Sequence, residues 1–314
     1  MVHIVIAGGA GNVGREVVEE LASQGKHEVT VFALPGESPQ FTNPKIAVRN
    51  VDYQDQEGLI DALKGVDTVL SFVSSDPDNQ TQKALVDACV AAGVKRFAPS
   101  EWALRSDSSL PDQQFKRDMH KYLQEINAER PVLEYTLFEP GLFMNYLAYP
   151  YKTTKYLHNS PLFMSLEEKQ AIKVDDGEDW HVYTDIQDVA KVVARAIDYP
   201  GKWPEIGGMV GERIQMKSLI KLVESVLGEP LTVHTVKRAD LEKGEAQLPW
   251  LPPFSHPKVP AELREALAQR MYPQFLLAGV HGDLDVDATW NTLLPDYKFT
   301  SIEALLRKGL SQRD

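Results

Sequence analysis

The sequence predicts an α/β fold in which a doubly wound parallel sheet is followed by a smaller α+β region. Three observations predict it. An apolar strand runs into a glycine loop at the start of the chain, strands and helices then alternate as far as residue 138, and the alternation is lost past Pro140. The chain has 314 residues, 43% of them hydrophobic, and can therefore bury a substantial core. We expect a dinucleotide-type α/β unit over residues 1–145 and a capping region over residues 146–314, from which some segments can return to the sheet.

The first element is the strand VHIVIA at residues 2–7, which leads directly into GGAGNVG at residues 8–14. Gly8 permits a tight turn, Gly11 lets the backbone approach a pyrophosphate, and Gly14 lets the next helix pack closely on the strand. The amides at the start of that helix then point at the anion. Strand, glycine loop and helix are together typical of a Rossmann unit, and a glycine turn that binds nothing is the alternative interpretation.

The following elements repeat this unit. Further strands are predicted at residues 28–34, 46–51, 68–73, 94–99 and 133–138, with helices at 56–67, 81–92 and 113–128. The connections are short enough for right-handed crossovers between parallel strands. Six such strands predict a doubly wound sheet, whose ligands bind beyond the carboxyl ends of the strands.

Past Pro140 the pattern is looser. Strands are predicted at residues 173–183 and 231–236, and helices at 185–198, 216–227, 260–271 and 301–310. The stretch from Phe143 to Phe163 is rich in aromatic residues and would suit an aromatic ligand, although a buried pair of loops has the same composition. We expect this half to cover the cleft and to supply substrate contacts.

Composition excludes several classes of protein. The formal net charge of −12 argues against a nucleic-acid groove or binding to an anionic membrane surface. The single cysteine, Cys89, excludes an internal disulfide and is interpreted as a buried structural thiol. We find no signal peptide and no apolar run of 18 residues, and we expect a cytoplasmic protein. The eight histidines form no metal-ligand cluster, so no metal is expected.

Three loops at strand ends are expected to meet the glycine loop at one edge of the sheet. They contain Ser74-Ser75, Ser100-Glu101-Trp102 and Pro140-Gly141-Leu142-Phe143. Lys116 lies at the start of the helix after strand five, where it could bond a ribose or polarise a substrate oxygen; a solvated surface lysine is the alternative. Tyr151 and Lys155 have the spacing of a catalytic Tyr-xxx-Lys pair, but they follow strand six rather than strand five.

Five motifs are distributed in order along nearly the whole chain: GGAGNVG, LVDACVAAGVKRFAPSEWA, KRDMHKYL, EPGLFMNYL and PDYKFTSIEALL. Together they resemble the isoflavone reductase-like and NmrA-like group of atypical short-chain dehydrogenases. VKRFAPSEWA is similar to that family's VKRF-PSEFG, and the final motif is similar to its PDVKYTT-EEYL. The resemblance implies a Rossmann fold and an NADP(H) or NAD(H) cofactor.

The resemblance also implies roles for particular residues. Lys116 matches the family's proposed catalytic lysine, with Met119 and His120 in place of the Val and Arg of the Lys-xx-Val-Arg-xx-Leu element. The implied cofactor contacts are Gly8, Gly11, Asn12, Val13 and Gly14 at the pyrophosphate, Asp52 at the adenine, Ser74 at the ribose and Phe143 at the nicotinamide, with Ser100 and Lys116 beside them. Asp52 as a strand-end cap and Phe143 as a core residue are the alternatives.

One position departs from the family pattern. Reductases of this group usually carry an arginine before proline at the end of the second strand, whereas this chain has Leu34 before Pro35. An aliphatic side chain cannot pair with the 2′-phosphate of NADPH, nor accept a bond from a free 2′-hydroxyl. Glu37 is the nearest acid, and Lys45 or Arg49 could substitute for the arginine. The sequence therefore leaves the choice of NADPH or NADH open.

These features favour an NAD(P)-dependent reductase that transfers hydride to an aromatic or conjugated carbonyl or enone, in a monomer or homodimer. Two alternatives stay open. One is a regulator that binds a dinucleotide without turnover, as some NmrA-like proteins do. The other is a non-redox isomerase or cyclase that uses the same pocket.

Overall fold

A computed structural model describes residues 1–74, 76–108, 110–254 and 259–313. Its main sheet has six parallel strands in the order β3-β2-β1-β4-β5-β6. The first-half elements are β1 (His3–Ala7), α1 (Asn12–Gln24), β2 (Glu28–Ala33), β3 (Ala47–Asn50), α2 (Gln56–Ala62), β4 (Thr68–Ser71), α3 (Gln80–Ala92), β5 (Arg96–Ala98), α4 (Gln114–Ile126) and β6 (Glu134–Tyr135). This order is that of a Rossmann sheet and confirms the predicted fold class. The topological switch point lies between β1 and β4, beside the glycine loop.

The second half forms smaller sheets and further helices. Its elements are β7 (Leu137–Glu139), β8 (Leu142–Phe143), β9 (Met164–Ser165), β10 (Gln170–Val174), β11 (Trp180–Thr184), α5 (Ile186–Asp198), β12 (Ile206–Gly208), β13 (Glu212–Gln215), α6 (Met216–Leu227), β14 (Thr232–Val236), α7 (Arg238–Glu242), α8 (Ala261–His281), α9 (Thr289–Leu293) and α10 (Ile302–Leu310). The small sheets have the orders β14-β10-β9, β13-β11-β8 and β12-β7.

Alternate residues of β1 pack on opposite faces of the main sheet. Ile4 and Ile6 are buried in the core on the side of α1 and α5, whereas Val5 and Ala7 belong to the core on the side of α2 and α3. Both faces are apolar because helices cover both sides of a parallel sheet. Cys89 in α3 is fully buried in the second core, as predicted.

Two predicted strands differ from the structure. The strand expected at 173–183 is in fact two strands, β10 and β11, separated by a turn in which Gly177 has a φ of +73°. The strand expected at 133–138 is interrupted at Thr136, whose N–H donates to Phe97 O, whereas the N–H of Leu137 donates to Glu205 O. The chain thus changes its pairing partner from β5 to β12. The helix expected at 260–271 continues to His281.

The second half is tied to α1 through a buried carboxylate. Glu16 is 8% exposed and accepts hydrogen bonds from the N–H groups of Tyr156 and Leu157, at 2.7 and 3.0 Å, and from the hydroxyl of Thr154. α5 also packs along α1. Contacts between the halves are therefore extensive beside the glycine loop, and the boundary at residue 145 stays a prediction.

Candidate active site

The glycine loop forms the floor of a cleft with about 900 Å³ of empty space. Its glycines are required by the backbone. Gly8 has a φ of +73°, and a Cβ atom there would lie 2.6 Å from Phe72 O. A Cβ atom on Gly14 would lie 2.8 Å from Gly8 O, whereas one on Gly11 would meet only Gly8 O, at 3.3 Å. Gly8 and Gly14 therefore serve the fold, and Gly11 keeps the cleft open.

Helix α1 starts at this cleft without a side-chain cap. Gly11 is its N-cap residue, and Asn12 and Val13 form its first turn and line the cleft. Uncapped amides at a helix N-terminus attract an anion through hydrogen bonding and the helix dipole. The cradle left by the glycines and these amides fits a pyrophosphate.

The loop after β5 forms the opposite wall of the cleft. The buried side-chain oxygen of Gln82 accepts bonds from the Ser100 N–H at 2.8 Å and the Ser71 hydroxyl at 3.3 Å. Trp102 has a φ of +40°, stacks on Phe72 with ring centroids 4.2 Å apart, and donates its indole N–H to Ser71 O at 2.7 Å. These contacts hold the Trp102 side chain against the end of β4, and they help to maintain its strained backbone conformation.

Behind this wall, Lys116 lies against the backbone and side chain of Glu101. Lys116 is the third residue of α4 and is only 5% exposed. Its Nζ donates to the main-chain oxygen of Glu101 at 2.6 Å and lies 3.7 Å from Glu101 Oε2. The Glu101 side chain is 1% exposed, and this Oε2 has no hydrogen-bond partner among the described residues. Glu101 lines the cleft, whereas Lys116 supports it from behind.

Burial controls the protonation of this pair. Burial raises the pKa of Glu101 to about 7, and the nearby Lys116 opposes that shift. Burial likewise lowers the pKa of Lys116, against the attraction of Glu101 and then Glu139. The Glu139 carboxylate is buried as well; it accepts a bond from the Ser106 N–H at 2.7 Å, and burial raises its pKa. Desolvation therefore favours the neutral form of both carboxyl groups and opposes the charge of Lys116.

A second cavity, with about 690 Å³ of empty space, adjoins the glycine cleft and shares Asn12 and Val13 with it. Its wall is mainly apolar and aromatic, contributed by the loop after β8 and by α8. The remaining described lining residues are Tyr146, Leu157, His158, Ser160, Pro161, Leu162, Phe254, Met271, Tyr272 and Phe275. We call this the apolar pocket. Its composition suits a flat, apolar ligand.

The structure brings most of the predicted cofactor residues together. Gly8, Gly11, Asn12, Val13, Gly14, Ser74 and Ser100 all line the glycine cleft. Leu34 and Asp52 lie outside that lining, at the exposed ends of β2 and β3, where Asp52 accepts a bond from the Gln54 N–H at 2.9 Å. Phe143 is 7% exposed and packs edge-on against Tyr146. Ser75 lies outside the described residues.

Other features of the sequence do not form a functional site in the described structure. Tyr151 and Lys155 lie in an irregular loop rather than on one helix face, so they do not form the Tyr-xxx-Lys arrangement. Within the described ranges, no group of three His, Cys, Asp or Glu side chains could hold a metal ion. No helix of the described chain is long and apolar enough to cross a membrane.

Sequence reasoning missed the parts of the site that depend on tertiary contacts. The strand-end loop carrying Glu101 and Trp102 was identified, but neither side chain was assigned a role. Gln82 and Phe72 also escaped notice. No local motif marks these four residues, because their roles depend on burial and on contacts with distant parts of the chain. The one available signal was that Glu101 follows the same strand as Ser100.

The fold and the cleft define the class: this is a Rossmann protein whose glycine loop fits a dinucleotide. A sequence profile of the NmrA-like family matches residues 2–303, and the chain belongs to that family. Oxidoreductase swnN of Metarhizium robertsii is 28% identical and aligns over 98% of this chain and 97% of its own. Isoflavone reductase homolog P3 of Arabidopsis thaliana is 24% identical over 96% of each chain.

A solved structure has the same fold. The leucoanthocyanidin reductase–NADPH complex from Vitis vinifera superposes with a TM-score of 0.69 at 19% identity, over 98% of this chain and 99% of the other. The family membership confirms the predicted resemblance. The names of the relatives confirm the prediction of an oxidoreductase of the isoflavone reductase-like kind.

Proposed function

We propose that this chain is an NAD(P)H-dependent reductase that delivers hydride to a carbonyl or enone carbon of an aromatic or conjugated small molecule. The observation that carries the proposal is the wall shared by the two cavities, since Asn12 and Val13 line both the glycine cleft and the apolar pocket. A ligand in the apolar pocket would lie beside a dinucleotide held by the glycine loop. The isoflavone reductase homolog and the NADPH in the solved reductase complex support this assignment.

The chain offers contacts for the pyrophosphate and a sugar of the cofactor. Gly8, Gly11 and Gly14 would cradle the pyrophosphate, and Ser74 and Ser100 line the same cleft within reach of sugar hydroxyls. A bound reduced nicotinamide supplies the hydride. The roles of Asp52 at the adenine and Phe143 at the nicotinamide stay predictions, as do the cytoplasmic location and the monomeric or dimeric state.

Reduction of a carbonyl also requires a proton on oxygen when hydride adds to carbon. Glu101 lines the cleft, and the Nζ of Lys116 lies 3.7 Å from its Oε2. We assign the proton to this pair: the Glu101 carboxyl releases it towards the substrate oxygen, the Lys116 ammonium replaces it, and solvent returns a proton to Lys116 before the next turnover. General acid catalysis of this kind contributes a factor of roughly 10² to 10⁴ in rate.

Lys116→Met tests the assignment. On a substrate found by screening enones and aryl ketones for NADH or NADPH oxidation, we expect kcat to fall by roughly 10² or more while nucleotide affinity is unchanged. Lys121→Met is the matched control, because Lys121 lies on the same helix with its side chain 75% exposed. Full turnover by Lys116→Met would show that the proton comes from elsewhere.

The burial of Lys116 also favours a second candidate, the dinucleotide-binding regulator. Its ammonium lines neither cavity and is already bonded to the Glu101 main chain. A regulator would bind the nucleotide, leave the whole substrate panel unreduced and copurify with a protein partner. An isomerase or cyclase would convert a substrate without any change in nicotinamide absorbance.

A further inference from the structure

The turn after β2 returns an acidic side chain to the end of that strand. Leu34 follows β2 directly, and its N–H donates to Glu37 Oε2 at 3.2 Å. The side-chain amide of Asn50 on β3 donates to Leu34 O at 2.6 Å and to Glu37 O at 2.9 Å. Two strands therefore clamp this turn, and the Glu37 carboxylate is held at the tip of β2.

This location is the one that matters for recognising the adenosine ribose. In Rossmann proteins an acid about 20 residues past the glycine loop bonds the ribose 2′-hydroxyl. Glu37 lies farther along the chain than the strand end, but its carboxylate folds back onto the N–H of Leu34. Because this bond uses Oε2, Oε1 can accept from a ribose hydroxyl. Burial first, and the charge of Glu37 second, raise the pKa of Tyr53, so the carboxylate also lies near the residues that follow β3.

The two arginines nearest this turn have other partners, whereas Lys45 is exposed. Arg49 on β3 is paired with Asp61 at 3.2 Å, on the side of α2. The Arg15 guanidinium donates to Gln40 O and lies over the ring of Tyr156, 4.7 Å from its centroid. Arg15 Nε is nevertheless buried without a hydrogen-bond partner in the described chain. Arg15 is therefore the alternative residue for recognising the 2′-phosphate of NADPH.

The half-exposed side chain of Leu34 cannot contribute to charge recognition. A 2′-phosphate placed beside Glu37 would meet a like charge, with Asp52 also exposed at the end of β3. A free 2′-hydroxyl would instead donate to a charged acceptor. We propose that Glu37 is the specificity-determining residue of the cofactor site and that the chain selects NAD(H) over NADP(H). This inference rests on the proposed dinucleotide site and extends it to the choice of cofactor.

The test is a direct binding titration of the full chain with NADH and with NADPH. Binding is monitored by nicotinamide fluorescence at equal ionic strength. For the wild type we expect NADH to bind at least about 10-fold more tightly. Glu37→Gln should weaken NADH about 10-fold and should not weaken NADPH, and Leu34→Arg should strengthen NADPH selectively. Glu28→Gln is the matched control, because Glu28 is exposed at the opposite end of β2. Unchanged melting temperatures would show that the variants are folded.

Each other outcome overturns the inference in a recognisable way. Equal or tighter binding of NADPH, or an unchanged preference in Glu37→Gln, would show that Glu37 does not select the cofactor. A selective loss of NADPH affinity in Arg15→Gln would assign the selection to Arg15. Binding of neither nucleotide would instead remove the dinucleotide site itself, and with it the proposed reductase.

Discussion

Lys116 and Glu101 carry opposite charges in solution, yet the fold buries both, 5% and 4% exposed. Removing two charges from water costs several kcal/mol per ion, and one contact at 3.7 Å offsets only part of that cost. The pair is therefore a poor source of stability. We propose that its value lies in chemistry, because a carboxyl with a pKa of about 7 can both release and regain a proton near neutral pH.

The pKa of Glu101 predicts how stability depends on pH. Folding raises this pKa from its ordinary 4.5 to about 7, so the folded chain holds a proton that the unfolded chain has lost between these values. The free energy of unfolding contributed by this group therefore falls as pH rises through the window, by on the order of 3 kcal/mol. Glu101→Gln has no such proton, so we expect its stability relative to the wild type to increase from pH 4.5 to pH 7.

Urea unfolding at several pH values measures this difference. The control is Glu125→Gln, which removes an acid whose side chain is 60% exposed on the same helix as Lys116. Its stability relative to the wild type should stay nearly constant over the window. If Glu101→Gln behaved in the same way, Glu101 would be ionised normally in the folded chain and could not supply the proposed proton.

The elements with strong local periodicity were predicted well. The six strands of the main sheet and the helices near 186–198, 216–227 and 302–310 follow from alternation, apolar faces and glycine stops. The predicted strand at 133–138 was wrong in its continuity, because Thr136 is the point where pairing passes from β5 to β12. β12 is about 70 residues away in the chain, and no local pattern reports a partner at that distance.

β12 also provides a stability prediction at the level of one element. A Cβ atom on Gly208 would lie 1.9 Å from Asp287 O, which is backbone and cannot move aside. We expect Gly208→Ala to cost about 2 to 3 kcal/mol, because the chain that approaches β12 must shift. Gly65→Ala is the comparison: Gly65 has a φ of +77° but open space around its Cβ position. It should cost only about 1 kcal/mol of backbone strain.

Thermal unfolding distinguishes the two variants. A larger loss of stability in Gly208→Ala than in Gly65→Ala would confirm that the segment around Asp287 packs tightly on β12. Equal losses would mean that this segment yields easily and contributes little to the stability of β12.

For the whole molecule, the sequence predicted one side of the site and not the other. The glycine loop, Ser74 and Ser100 lie at strand ends, where the topology of a parallel sheet brings them together without further information. The apolar pocket joins the glycine loop to residues near 160 and to α8, and its shape depends on packing between segments more than 100 residues apart. The sequence singled out Lys116 as a candidate catalytic residue. Its position behind Glu101 could not be predicted, because that position depends on how α4 packs.

Binding of a dinucleotide in the glycine cleft underlies both proposals, and the variant Gly11→Val is its sharpest test. A Cβ atom at Gly11 meets only Gly8 O, at 3.3 Å, so the variant should fold, while its side chain would fill the space of the pyrophosphate. By calorimetric titration with NADH and NADPH, we expect one nucleotide bound per wild-type chain and at least about 100-fold weaker binding to Gly11→Val, whose melting temperature should fall by only a few degrees. Equal binding by both proteins, or none by the wild type, would contradict it.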